Sequence, residues 1–372
     1  MCGLAGFIDT GGRAEAAPWI LDGMLRSIAH RGPDDSGQWI EGPVAIGHRR
    51  LSIVDISPLG HQPMVSASGR LVMAYNGEIY NHGALRAELE AAGTVFRGHS
   101  DTEVLLALIE RDGLAQALRR CVGMYAIALW DRAHKRLQLA RDRFGEKPLY
   151  CGWQGHTFHF ASELKAIAGT PGFRRDVDLD SVAELMRHGY VPAPHSIYRG
   201  IGKVPPATIL SLDFDPARQA WPLDGSRAPV HRESYWCAEQ VVAAGLRDPH
   251  AGSHEEAVDR LDALLRDAVG GQMVADVPLG AMLSGGVDSS VVVALMQQQS
   301  TVPVRTYCIG FETAALDEAP HAKAVAKHLG TLHTEMYVSS SDARSVIPRL
   351  PQMYDEPFGD SSQIPTILLA RL

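Results

Sequence analysis

The second residue of the chain is a cysteine, in the opening Met1-Cys2-Gly3-Leu4. Where the initiator methionine is clipped, Cys2 becomes the first residue. It then carries a thiol and a free α-amino group on one α-carbon. A thiol needs a base to become a nucleophile near neutral pH, and an α-amino group, with a pKa of about 7.7–8.0, suits that duty. An N-terminal cysteine therefore brings its own base. The second chemical stretch is Ser284-Gly285-Gly286-Val287-Asp288-Ser289-Ser290. Two glycines let backbone approach a ligand, and free amides with serine hydroxyls at a helix start suit phosphate or pyrophosphate. The G-x-x-x-x-G-K-[ST] pattern of a Walker loop is absent.

Elements must position these groups. Over residues 1–165 the stretches 71–80, 124–131 and 136–142 read as strands, interrupted by helices over 18–30 and 101–111. Ser100 opens the second helix with an S-D-T-E capping box. The pattern predicts a mixed α+β domain with layered sheets. From 190 to 255 proline, glycine and polar residues mark a domain edge and a connecting region. From 255 onward a helix is followed by a strand (277–284), helix (288–299), strand (304–311), helix (319–329) and strand (333–339). That alternation implies a parallel sheet with helices on its faces.

Composition sets the bounds. At 372 residues two or three domains are expected, at about 150 each. With 45% hydrophobic residues and 21% charged, the chain is neither disordered nor a coiled coil. A net charge of −8 without a basic cluster argues against nucleic-acid binding. Five scattered cysteines without C-x-x-C read as reduced thiols of a cytoplasmic protein, with no zinc site. No secretory leader is evident, and no apolar run reaches the ~20 residues that span a bilayer.

The order of motifs resembles the glutamine-hydrolysing asparagine synthetases. The matching stretches are MCGLAGF (1–7), HRGPDDSG (30–37), GHRRLSIVD (47–55), GHQPM (60–64), YNGEIYN (75–81), SDTEVLL (100–106), GMYAIALWD (123–131), ARDRFGEKPLY (140–150) and FASELKAI (160–167). DVPLGAMLSGGVDSS (276–290) and DEPFGDSSQIPT (355–366) follow. The resemblance implies an N-terminal-nucleophile αββα sandwich followed by part of a doubly wound, adenine nucleotide alpha hydrolase-like domain. It sets the glutaminase domain at 2–212, a connecting region at 213–254 and the ATP-binding domain at 255–372.

In that family the cysteine attacks the glutamine side-chain amide and forms a glutamyl thioester, which assigns the nucleophile to Cys2. The oxyanion donors fall on Asn76 and Gly77, although Asn-Gly is also a hairpin-turn signal. The resemblance places the glutamine site at Arg50, Leu51, Ile53, Asn76, Gly77, Glu78 and Asp101. Arg50 would fork onto the α-carboxylate, and Glu78 and Asp101 would accept from the α-ammonium. Asp101 also suits the first turn of a helix. Arg31, Arg141, Asp142 and Arg143 read as loop-ordering ion pairs, His30 and His48 as structural, and Cys121, Cys151, Cys237 and Cys308 as core or surface thiols. The ATP site would comprise Leu283, Ser284, Gly285, Gly286, Val287, Asp288, Ser289 and Ile309, with Asp288 helping to hold Mg²⁺. Asp317 and Glu318 are acidic groups near that site or simply a solvated helix start.

Expected partners are glutamine, aspartate and ATP, with a homodimer allowed and neither nucleic acid nor membrane involved. Family members continue for more than a hundred residues beyond IPTILLARL. An incomplete, inactive synthetase half beside an intact glutaminase is therefore expected, with the apolar strand at 277–284 as an exposed edge. The competing readings are an amidotransferase for a sugar or peptide carboxylate, a β-lactam-forming relative, and a non-catalytic binding module that keeps the fold.

Overall fold

The computed structural model describes residues 1–12, 14–214, 230–311 and 317–371. The chain divides into two compact units, Met1–Ala243 and Ala244–Leu372. Residues 215–229, in the middle of the expected connecting region, lie outside the described residues.

In the first unit the strands are β1 (Gly3–Asp9), β2 (Asp35–Glu41), β3 (Val44–Arg50), β4 (Met64–Val65), β5 (Leu71–Ile79), β6 (Gly123–Asp131), β7 (Arg136–Arg141), β8 (Tyr150–Gln154), β9 (Thr157–Ala161), β10 (Ile201–Lys203), β11 (Thr208–Asp213) and β12 (His231–Ser234). They form two six-stranded sheets, β10-β8-β9-β1-β3-β2 and β12-β11-β7-β6-β5-β4, antiparallel throughout. β12 comes from the stretch read as connecting and forms an edge of the second sheet. The helices are α1 (Ala17–Ser27), α2 (His82–Ala91), α3 (Asp101–Asp112), α4 (Leu114–Arg120), α5 (Leu164–Ala168) and α6 (Leu179–His188). Only the first and third correspond to expected helices.

The period-2 alternation of strands explains the layers. In β1, Leu4 and Ile8 point inward and meet Ala126, Ala128 and Trp130 of β6 between the sheets. Ala5 and Phe7 point outward against Leu21, Met24 and Leu25 of α1. In β6, Tyr125, Ile127 and Leu129 point the other way, against Leu105, Leu108 and Ile109 of α3. Helix, sheet, sheet and helix thus stack in four layers, the expected αββα sandwich. Each central strand is apolar on both faces because each is covered twice.

The second unit contains α8 (His254–Gly271), β13 (Gly280–Met282), α9 (Val287–Gln299), β14 (Arg305–Phe311), α10 (Ala319–Leu329), β15 (Leu332–Val338), α11 (Ser340–Val346), α12 (Leu350–Met353) and α13 (Gln363–Leu369), with α7 (Ala238–Arg247) at the division. β13, β14 and β15 pair in parallel in that order. Cys308 of β14 packs with Val293 of α9 and Ala322 of α10. Ile309 turns to the opposite face, toward Val346 of α11 and Leu368 of α13. Helices thus cover both faces, as the alternation predicted. The strand expected over 277–284 shortens to three residues. β13 is an edge strand among the described residues, with Leu279 and Met282 exposed.

Candidate active site

Cys2 precedes β1, whose first rung pairs Gly3 with Arg49. The cysteine therefore lies beside the end of β3 and the loop that follows it. Its Sγ accepts a hydrogen bond from the Leu51 N–H at 3.3 Å and lies 3.5 Å from the Leu51 carbonyl oxygen. Its own carbonyl accepts from Arg31 Nε at 2.9 Å, and Arg31 pairs with Glu163 at 2.8 Å. Burial pushes the thiol pKa up, with the Leu51 N–H and the positive charge of the N-terminus pulling against it. The thiol is a poor nucleophile until a base takes its proton.

Arg50, at the end of β3, is 6% exposed. Its guanidinium donates to the Ser57 carbonyl at 2.8 Å and also to the Asp55 carbonyl. A Cβ at Gly60 would run into that guanidinium, so only glycine leaves room for it. Ile53 is half-buried in the same loop, where Ser52 N–H is fixed by Asp34 Oδ2 at 2.8 Å.

Asn76 and Gly77 lie inside β5, not in a turn. Asn76 pairs with Ala126 and Gly77 with Tyr125. The hairpin alternative is thereby corrected: the nine-residue ladder overrides the local turn preference of Asn-Gly. Asn76 is 1% exposed, and its Nδ2 has no hydrogen-bond partner. Opposite Gly77, the Tyr125 N–H goes to Asp142 Oδ2 and the Tyr125 carbonyl accepts from the Asp142 N–H. The Gly77 N–H is thus not taken up by its partner in register.

Asp101 begins α3 and is buried. Its Oδ2 accepts from the Ile79 N–H at 2.9 Å and the Tyr75 hydroxyl at 2.8 Å. Burial nevertheless raises its pKa. Glu78 is raised to about 7 by burial and by the Asp101 charge. Two carboxylates held in each other's field make a place for a cation. The capping box at Ser100 is only half formed. Ser100 Oγ accepts from the Glu103 N–H, but the Glu103 carboxylate accepts from the Arg97 and Gly98 N–H groups.

The supporting residues differ from expectation in one respect. Arg31 is an ion pair, but Arg141, Asp142 and Arg143 order their loop through backbone. Arg141 donates to the carbonyls of Gly145, Lys147 and Val204, and Arg143 to those of Cys121 and Arg119. Asp142 accepts from the N–H groups of Phe144, Glu146 and Lys147. His48 is buried between the sheets, with Nε2 2.9 Å from the Tyr75 carbonyl and Nδ1 unpartnered. His30 pairs with Glu163 at 3.0 Å. Lys147, which sequence reasoning passed over, is 5% exposed and reaches Met1 Sδ at 3.1 Å. Its motif was legible, but its burial was not. A cavity of about 910 Å³ lies elsewhere, beside Val65, Val95, Phe96 and Arg97, and contains none of the predicted site residues.

In the second unit, Leu283 extends the parallel ladder with its N–H on the Tyr307 carbonyl at 2.9 Å. Ser284, Gly285 and Gly286 then lead into α9, with Gly286 as its N-cap. Ser284 and Ser289 share a 3.0 Å hydroxyl contact, and the Gly286 N–H donates to Ser284 Oγ at 3.3 Å. Gly285 has φ +85°, and a Cβ there would lie 2.7 Å from the Ala322 N–H nitrogen. Val287 and Asp288 are exposed in the first turn of α9. Ile309 lies two residues beyond the last rung shared by β13 and β14. These residues gather at the carboxyl ends of parallel strands, where open α/β sheets bind ligands. Asp317 accepts from the Ala319 and Phe311 N–H groups, and Glu318 is the N-cap of α10. Among the described residues no group of three or more His, Cys, Asp or Glu could hold a metal. A lone Asp288 suits a magnesium that arrives with phosphates rather than one caged by protein.

Residues 1–220 match the family model described as a glutamine amidotransferase domain, and residues 260–372 that described as asparagine synthase. The chain is 32% identical to a putative asparagine synthetase (glutamine-hydrolyzing) 2 of Methanocaldococcus jannaschii, covering 100% of this chain and 72% of that one. It is 33% identical to asparagine synthetase (glutamine-hydrolyzing) 3 of Bacillus subtilis, covering 92% of this chain and 55% of that one. It thus spans between about half and three-quarters of the length of these relatives. A solved glutamine phosphoribosylpyrophosphate amidotransferase of B. subtilis, complexed with ADP and GMP, aligns at 19% identity and a TM-score of 0.45, over 90% of this chain and 65% of that one.

Proposed function

Because the chain belongs to the family of glutamine-hydrolysing asparagine synthetases, we propose that it releases ammonia from glutamine at Cys2 and uses ATP to amidate aspartate. The observation that carries the first half is the buried, unpartnered Nδ2 of Asn76 in a fold that also holds the half-buried Cys2 thiol. A donor left unsatisfied costs about 1–3 kcal/mol, which a folded chain tolerates where an acceptor arrives with the substrate.

The chemistry runs as follows in this reading. Removal of Met1 frees the α-amine of Cys2. The amine takes the thiol proton, and sulfur attacks the glutamine amide carbon. Negative charge moves to the carbonyl oxygen, toward Asn76 Nδ2 and the Gly77 N–H. The ammonium returns its proton to the leaving nitrogen, ammonia departs and a glutamyl thioester remains for water to hydrolyse. Arg50 takes the α-carboxylate, and Glu78 and Asp101 the α-ammonium, while Leu51 and Ile53 wall the pocket. Two carboxylates that hold raised pKa values support this assignment, since a substrate cation relieves their mutual repulsion.

For the ligase half, Leu283 through Ser289 and Ile309 are the candidate seat of ATP. The hydroxyl and amide groups of Ser284, Gly286 and Ser289 would face the phosphates. Asp288 would hold magnesium, which when bound offsets phosphate charge. Five free cysteines support a cytoplasmic setting, and the net charge of −8 speaks against nucleic acid as a partner. Among the described residues no helix is long and apolar enough to cross a membrane.

The test is a product partition with glutamine, aspartate, ATP and Mg²⁺. Glutamate that disappears in Cys2→Ala supports the glutaminase. Asparagine and pyrophosphate rising in step with it support the ligase and aspartate as acceptor. A chain that makes no glutamate after Met1 is confirmed absent by mass would refute the nucleophile assignment.

A further inference from the structure

Lys147 is the unusual cation of the first unit. It is 5% exposed, and among the described residues its Nζ has one hydrogen-bond partner, the Met1 thioether at 3.1 Å. A thioether is a weak acceptor, so a buried ammonium gains little there. Yet the lysine is held firmly in place. Its N–H is fixed by Asp142 Oδ2 at 3.0 Å and its carbonyl by Arg141 Nε at 2.8 Å. Arg31, the other cation at this terminus, differs: it is paired with Glu163. Among the described residues Lys147 has no such ion-pair partner.

We propose that the Lys147 ammonium, which touches the side chain of Met1 and so lies beside the residue that follows it, keeps the α-amine of the mature Cys2 neutral and so in the form that accepts the thiol proton. The inference rests on the reading of Cys2 as an N-terminal nucleophile. Of two amines sharing one partly dry pocket, the one with the lower intrinsic pKa gives up its proton. That is the α-amine, at about 8 against about 10.4 for lysine. Lys147 is a positioning residue, acting through the amine rather than on glutamine.

The surrounding charges fit this division. Arg31, Asp34 and the Cys2 thiol face the N-terminus together with Lys147. Burial and then Arg31 lower the pKa of Lys147 itself, with Glu146 and Asp142 of the loop and Glu78 of β5 pulling against them. Arg50 and Asp101 face the thiol. In the chain that still carries Met1, burial first, then Arg31 and Lys147, lower the pKa of the Met1 amine, against Cys2 and Asp34, and the amine freed on the next residue enters the same surroundings.

The experiment compares mature wild type with Lys147→Met and Lys147→Arg. The first readout is the pH dependence of labelling of the Cys2 α-amine by an amine-reactive reagent, followed by peptide mass. The second is kcat for glutamate release at saturating glutamine across pH 5.5–9. Lys147→Met is expected to move both midpoints up by about one pH unit, and Lys147→Arg to restore them. Unmoved midpoints in a folded Lys147→Met would overturn the inference while leaving the glutaminase reading intact. A wild type that hydrolyses no glutamine would sink that reading, and the labelling midpoint would still decide the role of Lys147. Loss of activity with no midpoint change, unrescued by Lys147→Arg, would mark a packing role and refute the proposal.

Discussion

Asn76 and Glu78 lie two residues apart on β5 and make opposite demands on a ligand. Asn76 offers a buried donor that lacks an acceptor. If it meets the oxyanion, Asn76→Ala should lower kcat by about 10²–10³ with little change in glutamine affinity. Steady-state glutamate release checks the first, and calorimetry in a Cys2→Ala background the second. Glu78 is half-protonated near neutral pH, with its pKa at about 7 from burial and the Asp101 charge. A glutamine ammonium prefers the ionised carboxylate. Affinity should therefore rise as pH climbs through 7 and fall below it, roughly tenfold per unit at the limit. Glu78→Gln should bind more weakly and with a flat pH dependence. A wild-type affinity that is constant from pH 6 to 8 would remove Glu78 from the ammonium site.

At the level of elements, Gly77 shows why β5 and β6 depend on each other. A Cβ there would meet the Met124 carbonyl and approach Tyr125 Cα to 2.8 Å. Backbone in mid-sheet has nowhere to move. Gly77→Ala should cost about 1–3 kcal/mol in urea unfolding, and glutaminase activity with it. This dipeptide also marks what sequence could and could not disclose. Asn-Gly carries the same local signal in a hairpin turn and in mid-strand, and only the nine rungs with β6 decide between them. The Gly285-Gly286 loop was legible because strand, glycines and helix are adjacent in sequence. The partners of Arg50 were not, since the carbonyls of Asp55 and Ser57 leave no mark on residue type. The same holds for the backbone clamps made by Arg141 and Asp142, which had been read as ion pairs. The αββα order was visible through the resemblance, while the strand pattern by itself predicted no more than a mixed α+β domain with layered sheets. The short helices α4 and α5 escaped because they span less than two turns of periodic pattern.

For the molecule as a whole, His48 ties acid stability to the contact between sheets. Burial lowers its pKa to about 4, against the slight pull of the Tyr75 carbonyl, and its Nδ1 has no acceptor waiting for a second proton. The unfolded chain therefore binds this proton first. Stability supplied by neutral His48 is present above pH 6.5 and is lost as pH falls toward 4, by at most about 3 kcal/mol. Glu78 acts with the opposite sign, its contribution present at low pH and lost as pH rises through 7. The clean comparison is His48→Gln against wild type by urea unfolding from pH 4 to 7. The variant should lose less stability than wild type over that span. Equal slopes would remove His48 as the source.

The position of β1 in its sheet sets a schedule for synthesis. β1 pairs on one side with β3, complete at residue 50, and on the other with β9, complete only at residue 161. Until β9 leaves the ribosome, the first strand has an open flank and Met1 hangs free. Afterwards the strand is locked in mid-sheet, and the terminal amine is partly withdrawn from water. At about 5–20 residues per second, the open-flank stage gives a peptidase on the order of ten to thirty seconds of free access to Met1. A host that makes the protein faster than it trims nascent chains would accumulate folded molecules that wait unarmed, their Met1 still 59% exposed but anchored on a locked strand and trimmed more slowly.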